Sequence, residues 1–164
     1  MKTFFIIFAI LFYASGLSAK NRIEIYRYTD PVRGGEISLD VEKMQIVIDR
    51  HAILDAKECK YKYKYKCMIA PGGNFIFPTS AIRKNMNYKY SKSQFKVTKE
   101  VRYKILGKIY PAFLIQSQEN GCNYWYLFSN EFGLLAFGKL INGGASVFIL
   151  QNKCGFASPY DCEN

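Results

Sequence analysis

The chain of 164 residues contains 23 Lys and Arg against 13 Asp and Glu, a formal net charge of +10, and 49% of its residues are hydrophobic. The single histidine excludes catalysis by a histidine pair, and the absence of any CxxC pair disfavours a structural zinc site. Residues 20–164 suit one β-rich domain large enough to bury a core, and no low-complexity segment or repeat divides them.

The first 19 residues, MKTFFIIFAILFYASGLSA, have the pattern of a cleaved signal peptide. A lysine at position 2 precedes an apolar run over 4–14, and small residues follow. We expect cleavage after Ala19, with Gly16 and Ser18 as alternative sites. An uncleaved anchor is the competing interpretation, but the run is shorter than the roughly 18–20 residues that span a bilayer. The predicted location is therefore secreted or periplasmic, with no transmembrane span after cleavage.

Alternation of polar and apolar residues predicts strands along most of the chain. The sequence DPVRGG at 30–35 predicts a turn between the first two of them. The best helical candidate is short, at 49–57, where alternation lapses. Residues 71–82 have an apolar centre and are expected to form a loop over the core. The predicted strands are 22–28, 43–50, 94–106, 110–118, 123–129, 133–140 and 145–151.

Short turns join the last three strands. They are SNEFG at 129–133 and NGG at 142–144, and Asn-Gly is a strong hairpin signal. We therefore predict a mainly β fold, either an antiparallel sandwich or a strongly curved half-barrel, with a C-terminal β-meander and stabilising disulfides. The residues of this region expected in the core are Trp125, Phe128, Leu135 and Phe137.

The segment ECKYKYKYKC at 58–67 alternates lysine and tyrosine between two cysteines. As a strand it would turn its tyrosines toward the interior and its lysines toward solvent. Its two cysteines would then lie roughly 26 Å apart, too far for a mutual disulfide. A tight loop closed by a bond between Cys59 and Cys67 is the rival arrangement. We expect the strand.

Positive charge is concentrated in the middle of the chain. Residues 57–108 contain twelve lysines and two arginines against two glutamates, a net charge of +12. Such a surface attracts anionic partners, although exposed lysines also protect sheet edges against aggregation. The similar segment at 87–96 is expected to lie beside 58–67. The residues predicted to form this basic binding face are Lys60, Lys62, Lys64, Lys66, Lys89 and Lys92.

The chain has five cysteines, which in an oxidising compartment favour two disulfides and one free thiol. The sequence does not select the pairing. No metal site and no cofactor is expected, because His51 is the only histidine. The disulfide candidates are Cys59, Cys67, Cys122, Cys154 and Cys162.

Signals for catalysis are few. No GxSxG motif occurs, and five carboxylates that could serve a hydrolase show no spacing that selects a pair. They are Asp40, Glu42, Asp49, Glu119 and Glu131.

Three functions are therefore considered. We expect a small exported, non-enzymatic binding protein, of the inhibitor or immunity type, that uses its basic face to contact an acidic protein partner. Binding of anionic cell-envelope polymers or lipids is the alternative, and a small secreted hydrolase is the second alternative. Specific nucleic-acid binding is not expected, because single-strand binders present aromatic and cationic groups in one groove, whereas a strand would separate them.

Overall fold

The computed structural model describes residues 25–71, 73–105, 108–119, 121–141 and 144–159, which form an all-β protein. The predicted signal peptide, Cys162 and the first two residues of the NGG turn lie outside these ranges. Among the described residues there is no helix of the length and hydropathy needed to cross a bilayer. The all-β structure confirms the prediction of a mainly β fold.

Twelve strands form within the described ranges. They are β1 Ile25–Thr29, β2 Glu36–Asp40, β3 Gln45–Ile48, β4 Ala52–Asp55, β5 Tyr65–Ala70, β6 Gly73–Pro78, β7 Asn87–Tyr90, β8 Ser93–Ile105, β9 Lys108–Glu119, β10 Cys122–Ser129, β11 Gly133–Ile141 and β12 Gly144–Leu150.

Ten of these strands form one antiparallel sheet in the order β4-β3-β2-β1-β12-β11-β10-β9-β8-β7. Strands β8 to β12 follow one another as neighbours, so the predicted C-terminal meander is confirmed. Strand β1 pairs with β12, with Tyr28 opposite Leu150, and this pairing joins the N-terminal strands to the meander. Register shifts after Leu127 and after Val97 mark bulges, which increase the local bend of a sheet.

The remaining two strands, β5 and β6, form a hairpin that covers one face of the sheet. The Phe77 ring stacks on Phe128 of β10 at 4.7 Å, and the Phe75 ring meets Phe137 of β11 edge-on at 4.9 Å. The Tyr126 hydroxyl donates a hydrogen bond of 2.9 Å to the Asn74 carbonyl. The core lies between this hairpin and the sheet, and buried aromatic rings supply much of its contact area.

The predicted elements differ from the observed ones at several places. Each of the seven predicted strands overlaps an observed strand, but β2 and β7 are additional ones. The helix expected at 49–57 is wrong, because β4 pairs there with β3, with Ile53 opposite Val47. The loop expected at 71–82 lies over the core as predicted but contains strand β6.

The segment after β12 folds back onto the meander. Tyr28 is fully buried, and its hydroxyl donates to the Leu134 carbonyl at 3.0 Å and accepts from the Phe156 N–H at 3.1 Å. Gly133 begins β11 with a φ of +72°, and a Cβ there would lie 2.5 Å from the carbonyl oxygens of Gly155 and Phe156. The C-terminal segment therefore packs closely against the first residues of β11 and against β1.

Candidate functional site

The segment at 59–67 is a disulfide loop and not the predicted strand. Cys59 and Cys67 are bonded to each other, with a Cα–Cα distance of 5.4 Å. The N–H groups of Lys64 and Tyr65 both donate to the Tyr61 carbonyl, at 3.0 and 3.1 Å, and close a turn. The prediction that these two cysteines seek other partners is therefore wrong, and the rival tight loop is the observed arrangement.

A missing partner strand explains this difference. Strand β5 begins only at Tyr65, opposite Pro78, the last residue of β6. Beyond Pro78, the Thr79 N–H donates a hydrogen bond to the Lys64 carbonyl at 2.9 Å, and the Thr79 hydroxyl donates one to the Tyr63 carbonyl at 2.8 Å. The residues before Tyr65 thus have no extended neighbour with which to form a ladder.

The tyrosines at the tip of the disulfide loop are exposed. Tyr61 is 46% and Tyr63 71% accessible, and their rings meet edge-on at 6.3 Å. The ammonium of Lys60 lies 5.9 Å from the Tyr61 ring centre, and that of Lys64 lies 5.5 Å from the Tyr63 ring centre. The predicted inward orientation is wrong for Tyr61 and Tyr63, because their rings and the ammonium groups share one loop surface, whereas Tyr65 packs against the core. The expectation that the chain does not bind single-stranded nucleic acid depended on separate faces for the tyrosines and the lysines, so it loses that support.

Two other lysines of the loop are engaged within the chain. Lys62 forms an ion pair with Glu58. The Lys66 ammonium donates a hydrogen bond of 2.7 Å to the Ser158 carbonyl of the C-terminal segment. Lys66 therefore ties the hairpin to that segment, while the lysines at the loop tip point outward beside the exposed rings.

The disulfide loop is anchored to β7, as expected from the similar segment at 87–96. The Tyr90 hydroxyl accepts a hydrogen bond of 2.8 Å from the Lys60 N–H, and the Tyr65 hydroxyl donates to the Lys89 carbonyl at 3.3 Å. Strand alternation places the Lys89 side chain on the opposite face of β7 from Tyr88 and Tyr90. Lys92 lies in the exposed turn between β7 and β8.

The other cysteines occupy different parts of the fold. Cys122 is a free, half-buried thiol at the start of β10. A hydrogen bond with the Cys122 sulfur raises the pKa of Lys139 on the neighbouring strand, and the electrostatic interaction with Tyr124 raises it further. Cys154 is disulfide-bonded, and its partner lies outside the described residues.

A polar group lies where the hairpin meets the end of β9. The Asn74 side-chain amide donates to Oε2 of Glu119 at 2.6 Å and to the Ser93 hydroxyl at 3.4 Å. Burial raises the pKa of the Glu119 carboxyl, although hydrogen bonds from Ser93 and Asn74 partly lower it. Within the described residues, Oε1 of Glu119 and the buried Ser117 hydroxyl make no hydrogen bond.

The remaining groups considered for catalysis are dispersed. Asp40 accepts from the Lys43 N–H at 2.9 Å and Asp49 from the Glu36 N–H at 2.8 Å, so both carboxylates hold backbone geometry in turns. Glu42, Glu131 and His51 are exposed. No group of three potential metal ligands is found in the part of the chain that the structure describes.

The outer face of β7 to β11, opposite the hairpin, has a groove of about 610 Å³ that the sequence patterns did not predict. We name it the amide groove because five side-chain amides line it. Sheet register aligns its residues in two rows across five strands, β7 to β11. The first row is Asn87, Lys96, Gln116, Trp125 and Gly138, and the second is Lys89, Gln94, Gln118, Asn123 and Leu140.

Trp125 belongs to this groove and not to the core. Phe128, Leu135 and Phe137 are buried as predicted, whereas Trp125 is only half-buried. Its ring covers Gly138 of β11, where an added Cβ would lie 2.8 Å from two ring carbons. The glycine thus lets the indole ring lie against the sheet. Side-chain amides at alternate positions of β8 to β10 are the sequence signal from which this polar face could have been predicted.

Comparison of the chain with protein-family models, curated proteins and solved structures gave no match.

Proposed function

We propose that this chain is a small exported, non-enzymatic binding protein that acts as an inhibitor or immunity-type protein. Its disulfide loop would contact an acidic protein partner. The observation that supports this proposal is the exposed pair Tyr61 and Tyr63, flanked by the ammonium groups of Lys60 and Lys64. Exposed tyrosines and a rigid backbone are features of protein-binding loops, because little side-chain entropy is lost on contact.

The lysines give this loop its preference for an acidic partner. Residues 57–66 contain five lysines and one glutamate, a net charge of +4. Such a surface speeds association with an oppositely charged protein, and salt weakens the effect because exposed charges are screened within about 8 Å at physiological ionic strength. Lys92, in the turn after β7, extends the positive potential around the loop, whereas the predicted contribution of Lys89 is lost because its side chain lies on the opposite face of β7.

The test begins with capture of a partner from an envelope and secreted-protein extract, followed by calorimetry with the purified partner. We expect an affinity that falls with salt. A Lys60→Glu, Lys62→Glu, Lys64→Glu variant should lose most of it, and Tyr63→Ala should weaken it. Lys66 stays unchanged, because it holds the C-terminal segment. Lys104→Glu, at the end of β8 that lies far from the disulfide loop, is the control. Unchanged affinity in the triple variant would reject this surface.

The alternative is binding of an anionic cell-envelope polymer or lipid. A purified polyanion that binds the wild-type chain and whose binding is lost in the triple loop variant, with no protein captured, would favour it. The second alternative, a small secreted hydrolase, has less support, because the Asp40 and Asp49 carboxylates accept hydrogen bonds from backbone N–H groups.

A further inference from the structure

We propose that the amide groove binds a carboxylated polysaccharide, a chain of hydroxyl-rich sugars with uronate groups at intervals. This site lies on the outer face of β7 to β11 and goes beyond the proposed contact made by the disulfide loop. Nothing in the proposed function requires it, so the two can fail separately.

The first argument is the chemistry of the lining. A side-chain amide carries two donors and one acceptor, which suits sugar hydroxyls that also donate and accept. Within the described residues, none of the five amides makes a side-chain hydrogen bond to another protein group. They therefore present their full hydrogen-bonding capacity to a ligand. These amides are Asn87, Gln94, Gln116, Gln118 and Asn123.

The second argument is the shape of the groove. Successive residues of each row lie on neighbouring strands, so four interstrand spacings of about 4.8 Å give a length of about 19 Å. A chain of several sugars fits such a length. At one end the half-buried Trp125 lies against Gly138 and offers an apolar surface for the C–H face of a sugar ring.

The third argument is charge. Lys89 and Lys96 line the groove, none of its lining residues is acidic, and neither lysine has an ion-pair partner among the described residues. Two cations among five amides match a polymer that carries a negative charge only at intervals. A densely sulfated chain or a nucleic-acid strand would place far more charge over the same length.

The experiment uses an internal probe. Trp125 is the only tryptophan of the 164 residues, so tryptophan emission reports on the groove itself. Hyaluronan, alginate and polygalacturonate oligosaccharides are titrated into the chain, with dextran as the neutral polymer and oligo(dT) as the nucleic acid. We expect at least one carboxylated polymer to give a saturable change in emission that salt weakens, and dextran and oligo(dT) to bind more weakly.

Variants then locate the site. Lys89→Gln with Lys96→Gln should raise the Kd about fivefold, and Gln116→Ala with Gln118→Ala about tenfold, from the loss of two exposed charge contacts and two hydrogen bonds respectively. Lys43→Gln removes one charge elsewhere and should leave the Kd unchanged. Thermal unfolding of each variant confirms that the fold is retained.

Four results would overturn the proposal. They are no binding of any carboxylated polymer, dextran binding as tightly, oligo(dT) binding more tightly through the same lysines, or groove variants that bind like the wild-type chain. If the triple variant of the disulfide loop loses polymer binding while the groove variants keep it, the polymer binds the loop and not the groove.

Discussion

The side-chain amide of Asn74 donates a hydrogen bond of 2.6 Å to Oε2 of Glu119, and this contact joins the start of β6 to the end of β9. The carboxyl accepts at one oxygen, while the other oxygen is buried without a partner among the described residues. Burial raises the pKa of this carboxyl, so the folded chain binds its proton more tightly than the unfolded chain does.

Glu119→Gln should therefore change the pH dependence of stability. In the wild-type chain this group costs stability as the pH rises from the ordinary pKa of 4.5 through the higher folded pKa, and the cost then stays constant. Glutamine keeps an oxygen for Asn74 and does not ionise. We expect the variant to gain stability relative to wild type through that window and no further above it, measured by urea unfolding across pH. The exposed Glu131→Gln is the control; an advantage for Glu119→Gln that does not vary with pH would contradict the assignment.

Removal of the disulfide in Cys59→Ser, Cys67→Ser should destabilise the domain by about 2.5 kcal/mol, the loop-closure entropy of a bond between residues eight apart in the chain. Urea unfolding under non-reducing conditions measures this difference. The matched control is Cys122→Ser, which removes a free thiol and closes no loop. Equal stability of the double variant and the control would show that the bond does not constrain the unfolded chain.

Tyr28→Phe should cost about 1–3 kcal/mol, because the buried Leu134 carbonyl and Phe156 N–H would both lose the hydroxyl that joins them. Tyr63→Phe removes the same atom from an exposed ring and should be neutral within about 0.5 kcal/mol. Thermal or urea unfolding of the two variants distinguishes the outcomes. A neutral Tyr28→Phe would mean that the C-terminal segment does not depend on this hydroxyl.

Gly133→Ala should destabilise the domain by more than Gly121→Ala does. Both glycines have positive φ, +72° and +76°, so both substitutions incur the backbone strain of about 1 kcal/mol. Only Gly133 is also crowded, with the Ser158 nitrogen 2.6 Å from an added Cβ, whereas nothing lies within 4 Å at Gly121. Comparing the two unfolding free energies isolates the steric part, and equal losses would refute close packing by the C-terminal segment.

Sequence patterns predicted β8 and β9 of the meander because each buries one face, and predicted β10 and β11 from their runs of aromatic and aliphatic residues. Phe95 and Val97 on β8 and Ile115 on β9 are buried, and the intervening residues Lys96 and Gln116 are exposed. The same alternation at 58–67 was misleading, because a strand also needs a partner, and β6 ends at Pro78. Local pattern does not contain that information.

The two candidate surfaces differ in how much of each could be predicted from the sequence. The lysines and tyrosines of the disulfide loop are adjacent in the chain, so their composition was visible although their arrangement was not. The amide groove assembles side chains from five strands, and its rows exist only through register. Hydrophobicity alone predicts Trp125 in the core, whereas its pairing with Gly138 places it on the outer face.

The contact between Tyr28 and Phe156 links positions that are 128 residues apart. A ribosome must therefore synthesise nearly the whole polypeptide before β1, which can pair early with β2, can also pair with β12. Such distant pairing slows folding and delays its completion until after synthesis. Under the proposed export, a nascent chain of this kind would not yet be fully folded and could therefore pass through a translocation channel.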